Sequence, residues 1–171
     1  HSVNNGYAHF ANHSDVAGMK LWSWGNAPVG VVNQMALTDD GSLYAETQCG
    51  AMETQLDFAF LQPDKTRAWR EWWIPLRGLG GLTCASAEAG AKLKLAPSED
   101  AGMIDLTLGV CPARDLENAL IQLSTPDKTL HSEKASFTPE QPRLVTFSAS
   151  AKEVAGKPLH ITVTDQRGKS I

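Results

Sequence analysis

A chain of 171 residues, 42% hydrophobic and 20% charged, has room for one ordinary domain or two small ones, and its formal net charge of -4 argues against a nucleic-acid partner. No apolar run is long enough to span a bilayer, so no membrane partner is expected, and the opening HSVNNGYAHF has neither the basic end nor the apolar core of a signal peptide. Cys49, Cys84 and Cys111 are an odd number with no close pair, a pattern that supports neither a zinc clip nor a disulfide framework; no metal and no cofactor is expected.

In chain order, NNGYAHFAN at residues 4–12 reads as extended, with Tyr7, His9 and Ala11 on one side. His9 and His13 are four apart but lack a helical pattern between them, so HFANH is not a helical metal motif; His9 either faces a ligand or is a hydrogen-bonded core histidine. Gly18 frees the backbone before MKLWSW, a strand that points Trp22 and Trp24 to one face. GNAPVG then reads as a loop, and none of its glycines has phosphate-loop spacing. TDDG is a turn, after which LYAETQ alternates and sets Tyr44, Glu46 and Gln48 on one face. LDFAFL reads as a strand and QPDK as a turn. A longer strand-like run follows from Thr66 to Leu76, with Trp69, Glu71 and Trp73 on one face and Arg70 and Trp72 on the other.

All five tryptophans lie between Gly18 and Gly81, interleaved with Glu46, Asp57, Arg70, Glu71 and Arg77. Aromatic faces beside carboxylates and amides suit a sugar, whose C–H face stacks on a ring while its hydroxyls meet polar groups. The competing account has the indoles filling a sheet core, with Glu46 solvated or paired with Arg70 or Arg77.

At RGLGG the composition changes, and from Thr83 onwards there is no tryptophan or tyrosine. Ile104, Leu106, Leu108 and Val110 alternate with polar or small residues, as do Leu159, Ile161 and Val163, between turns such as TPDK, TPEQP and AGKP. These short half-apolar strands predict a small β-sandwich, with SEDAGM helix-like and ARDLENA a turn or short helical loop. Two β-rich domains are therefore expected, at residues 1–82 and 90–171, joined near Arg77–Ala89.

The segments HFANHSDVAGMKLWSWGN, LTDDGSLYAETQCG and TQLDFAFLQPDKTRAWREWWIPLRGLGG, within residues 9–81, resemble the domain of unknown function DUF5107. That family occurs in large bacterial proteins, often ahead of tetratricopeptide repeats, and is related to galactose mutarotase-like folds. The resemblance implies an all-β chain: a partial galactose mutarotase-like supersandwich followed by a small immunoglobulin-like β-sandwich. It implies a sugar cleft on a concave sheet, with Glu46 as the acidic residue most like the mutarotase base. By motif position the saccharide contacts are His9, His13, Trp22, Trp24, Gln55, Asp57 and Trp72, accompanied by Asn12, Gly25, Asn26 and Trp73. A complete supersandwich needs more chain than this, so an upstream part of the same protein or another chain is expected to cover the open sheet edge. The expected function is a carbohydrate-binding or carbohydrate-processing module, fragment of a larger protein, with a non-catalytic β-rich scaffold or protein-interaction module as the alternative. A stand-alone enzyme is disfavoured, since there is no GxSxG and no cysteine has a histidine partner by sequence.

Overall fold

The computed structural model describes residues 4–171, with 47% in strands and only 8% in helix. In chain order the elements are β1 (Asn5–Ala11), β2 (Gly18–Ser23), α1 (Pro28–Leu37), β3 (Ala45–Gly50), β4 (Glu71–Arg77), β5 (Cys84–Ala85), β6 (Ala89–Pro97), β7 (Met103–Pro112), β8 (Leu116–Ser124), β9 (Thr129–Phe137), β10 (Arg143–Ser150), α2 (Ala151–Val154) and β11 (His160–Thr164). They divide into two compact units, one formed by Ala11–Glu71 and the other by the chain up to Phe10 together with Trp72–Ile171.

In the larger unit, β10-β7-β6-β5 form one antiparallel sheet and β11-β8-β9 another. Alternation along the strands sends Leu106, Leu108 and Val110 of β7, Ile121 and Leu123 of β8, Phe137 of β9 and Val163 of β11 into one shared core. Two sheets with one apolar face each close on one another, which is the sandwich that the alternating pattern predicts. The strand order differs from an immunoglobulin domain, which puts its first, second, fifth and fourth strands in one sheet. Here the first three strands are neighbours in sequence order, because the tight Ser86–Ala89 and Asp100–Met103 turns fold β5, β6 and β7 back on one another as a meander. At the side of the sandwich, Arg143 of β10 donates to both carboxylate oxygens of Glu133 on β9, at 2.9 and 2.7 Å, joining the edges of the two sheets. His131 stacks on Phe147 beside this pair, with ring centroids 4.6 Å apart.

A second, smaller core lies on the outer face of the four-stranded sheet. Strand β1 pairs with β4, and Ala8, Ile74 and Leu76 cluster with Leu79 and Cys111. Two glycines make this close approach possible. A Cβ on Gly90 would sit 2.6 Å from Leu76, and one on Gly109 would sit 2.9 Å from Leu79, so each glycine is the seat of a leucine. Trp72 packs against this cluster and Trp73 points the other way, 42% exposed.

In the smaller unit, β2 and β3 form an antiparallel two-stranded sheet in the register Met19↔Cys49, Lys20↔Gln48, Leu21↔Thr47 and Trp22↔Glu46. Several expectations are corrected here. GNAPVG is not wholly loop, since Pro28 opens helix α1 at its first turn, where a missing N–H costs nothing. The helix escapes pattern recognition because its buried positions are Gly30 and Gln34, while Val29, Val32 and Met35 are exposed, the reverse of an amphipathic stripe. Gly30 is buried because the helix lies against the Trp24 carbonyl, leaving no room for a Cβ. LDFAFL is not a strand, and neither is 66–70. Residues 51–70 have no regular structure, so Trp69 lies outside β4 and Phe58 and Phe60 stand in solvent. In the larger unit, SEDAGM is a tight turn between β6 and β7. ARDLENA runs into β8, whose bulge between Leu116 and Ala119 holds Asn118 at φ 47°. Besides α1, the described residues hold one further helix, the single turn α2 between β10 and β11, which the sequence pattern does not predict either.

Candidate functional site

The β2–β3 hairpin places Trp22 directly opposite Glu46, so that the indole and the carboxylate project from the same face of the pair. Both carboxylate oxygens have donors of their own: Gln48 donates its amide to one, and the Tyr44 hydroxyl approaches the other at 3.4 Å, long for such a bond. Tyr44 in turn packs against Trp24, centroids 5.2 Å apart and planes tilted by 57°. Glu46, Tyr44 and Trp24 thus form one chain of contacts, with Trp22 opposite Glu46 in the register. Glu46, Tyr44 and Trp24 are half-buried and Trp22 is 40% exposed, so the cluster is reachable from solvent. Arg70, in the same unit, does not take the Glu46 carboxylate.

Helix α1 supplies the next layer. The Gln34 side chain, 5% exposed, donates to the Gly25 carbonyl at 2.6 Å and accepts from the Tyr44 backbone N–H at 3.4 Å. One side chain therefore ties the loop after β2 to the loop before β3. The result is a groove of about 280 Å³ lined by Ser23, Asn26, Gln34, Leu43 and Tyr44. Its polar groups are hydroxyls and amides, so it offers a ligand both donors and acceptors without net charge.

On the opposite face of the hairpin, the Cys49 thiol donates to the Glu71 carboxylate. Burial, then the hydrogen bond to Glu71 and its negative charge, push the thiol up to about 11, with Lys20 opposing. Cys49 is accordingly a neutral thiol at pH 7 and a poor nucleophile. Cys84 and Cys111 are also free thiols, each raised by burial.

The remaining expected contacts are dispersed. His13 lies within the turn that starts at Asn12 and is exposed. Gln55 and Asp57 lie in the irregular 51–70 segment, where Asp57 caps its own turn by accepting from the Thr54 N–H at 2.7 Å. His9 and Trp72 belong to the larger unit: His9 contacts Trp73, centroids 4.6 Å apart, and Trp72 contacts Phe10 at 5.6 Å. Sequence reasoning left Tyr44, Ser23 and Gln34 out of the site. Tyr44 had a visible signal, two residues before Glu46 on the same alternating face. Gln34 had none, because its role depends on a helix packing through its polar side.

Residues 1–76 match the family described as domain of unknown function (DUF5107), and residues 85–171 match YphG-like protein, second domain. The chain belongs to the DUF5107 family in its first part and to the YphG-like second-domain family in the rest. No solved structure matches it. The Trp22–Glu46 cluster and the Ser23–Gln34 groove lie wholly within the DUF5107 part, and the seven-stranded sandwich falls almost wholly within the YphG-like part. The two matches meet across 77–84, the glycine-rich stretch where tryptophan and tyrosine disappear.

Proposed function

We propose that the DUF5107 part of this chain is a carbohydrate-binding module that takes a neutral saccharide at Trp22, Trp24 and Glu46. The observation that carries this reading is the Trp22↔Glu46 register pair, continued by Tyr44 and Trp24 beside a groove of uncharged polar groups. A pyranose would lay its C–H face on an indole and give hydroxyl hydrogens to Glu46, which Gln48 and Tyr44 hold in place. In a saccharide-processing protein the same carboxylate is the base we assign, provided the proton it takes comes within about 2.6–3.2 Å, directly or through one water. On their motif positions alone, His13, Gln55 and Asp57 are proposed as further contacts of this site, and His9 and Trp72 as saccharide contacts within their own unit.

Titrating a panel of mono- and disaccharides into the wild type and Glu46→Gln, with circular dichroism on both, tests the reading. We expect unchanged folding and at least tenfold weaker binding by the variant; equal affinities, or no saccharide bound by the wild type, remove the site.

A second reading, an interaction scaffold, is favoured by one specific feature. Leu43, Leu56, Phe58 and Phe60 are all more than four-fifths exposed, on a unit whose only sheet has two strands. We propose that further strands, from an upstream part of the same protein or from another chain, cover the open edges of β2 and β3. In sequence terms we take 1–82 and 90–171 as the two modules.

A further inference from the structure

The larger unit carries a second aromatic surface that the Glu46 site does not use. On the face of β1–β4 turned away from Ala8 and Ile74, Trp73 contacts Tyr7 at a centroid distance of 5.5 Å and His9 at 4.6 Å, with planes tilted by 51° and 40°. Tyr7 is 52% and Trp73 42% exposed, so this row spends its aromatic area on solvent rather than on the core beneath it. Towards the Asn5 and Arg77 ends of the same strand pair, a groove of about 260 Å³ opens between the strands and the turn after β9. Asn5, Arg77 and Glu140 line it. Among the described residues, the Arg77 guanidinium and the Glu140 carboxylate form no ion pair.

We propose that this face is a separate saccharide-binding site, in which one sugar ring stacks on Trp73 and Tyr7 while the next unit of a short oligosaccharide enters the groove. Three features select this ligand. One cation, one anion and one amide at the groove give no net charge, which suits a neutral polyol whose hydroxyls both donate and accept. An anionic ligand would meet Glu140, and a cationic one Arg77. The rings also pack against one another, at centroid distances of 4.6 and 5.5 Å, which closes the slots between aromatic side chains that receive a proline-rich peptide. The proposal stands independently of the Glu46 site, because its residues lie in the other compact unit.

The test uses the full 171-residue chain carrying Trp22→Ala, Trp24→Ala and Glu46→Gln, so that binding at the first site cannot contribute. Maltotriose, cellotriose and chitotriose are titrated while tryptophan fluorescence and calorimetric heat are followed. At least one trisaccharide should bind. Adding Trp73→Ala should then weaken it at least tenfold, and adding Glu140→Gln, at an exposed position that leaves folding intact, should weaken it at least threefold. Binding untouched by both substitutions overturns the proposal, as does failure of all three trisaccharides to bind. A proline-rich peptide that binds where no trisaccharide does, and is lost with Trp73→Ala, also overturns the saccharide assignment. Sugar binding lost only in the triple background, with the single-site Trp73→Ala chain unaffected, overturns this site and leaves the Glu46 reading standing.

Discussion

The sandwich and the Ala11–Glu71 unit have comparable stocks of large apolar residues and use them in opposite ways. In the sandwich, Leu106, Leu108, Val110, Ile121 and Leu123 are at most 1% exposed, because two sheets each present an apolar face to the other. In the Ala11–Glu71 unit, Met19, Leu21, Val29, Leu56, Phe58 and Phe60 are all exposed, and Val16 is its one buried large aliphatic residue. A sheet of two strands has no second layer to bury its face. Alternation within a strand thus states which face is apolar, and only a partner layer turns that face into a core.

The sharpest way to break this comparison is to truncate one residue of each kind. Ile121→Ala should cost about 2–5 kcal/mol, since removing a buried side chain loses transfer energy and leaves a cavity. Phe60→Ala should change stability by less than about 0.5 kcal/mol, as expected of a solvated position. Chemical denaturation of the two variants measures both, and similar losses would mean that Phe60 is covered after all.

Thiol labelling sharpens the same contrast. Cys84 is exposed, Cys49 is half-buried and tied to Glu71, and Cys111 is inaccessible within the second core. With iodoacetamide at pH 8, followed by mass spectrometry, Cys84 should react first, Cys49 next and Cys111 last. Glu71→Gln should quicken Cys49, because it removes the charge and weakens the hydrogen bond that raise this thiol. Cys111 reacting as fast as Cys49 would show that the larger unit is no more closed than the smaller.

The smallest effect concerns the clasp between the two sheets. Arg143, through its hydrogen bonds, holds Glu133 below the ordinary glutamate value of 4.5, against an opposing push from burial. A depressed carboxylate stabilises the fold above its unfolded pKa and loses that contribution as pH falls through the folded value. Stability from this pair should therefore be complete at neutral pH and fade below about pH 4.5. Glu133→Gln should lower stability by about 1 kcal/mol at pH 7, and the gap between wild type and variant should narrow as pH falls below 4.5. A constant gap between the two melting curves over that range would leave the clasp no electrostatic role.

Much of the architecture was written in local pattern. The strands at Gly18–Ser23, Ala45–Gly50, Met103–Pro112 and His160–Thr164 follow from alternation bounded by turn residues, and the sandwich follows from their apolar faces. The same alternation places Glu46 with Tyr44 and Gln48, and the antiparallel register adds Trp22. Local pattern misled where a segment was apolar without a layer to meet. LDFAFL has strand composition and no strand, because β-propensity expresses packing against neighbours, and Phe58 and Phe60 have none here.

By itself, then, the sequence determined the all-β class, the change of character after Arg77 and the sharing of one face by Tyr44, Glu46 and Gln48, since each depends on residue type and period alone. Tertiary structure decided the rest. Helix α1 exists with Gly30 and Gln34 as its contacts because a backbone carbonyl, rather than an apolar groove, lies against it. Trp72 and Trp73, adjacent in sequence, took opposite fates because only one face of β4 meets the core beneath it. Strand order and the docking of Leu76 and Leu79 over Gly90 and Gly109 were fixed by contacts between residues far apart in the chain, and no local period encodes those.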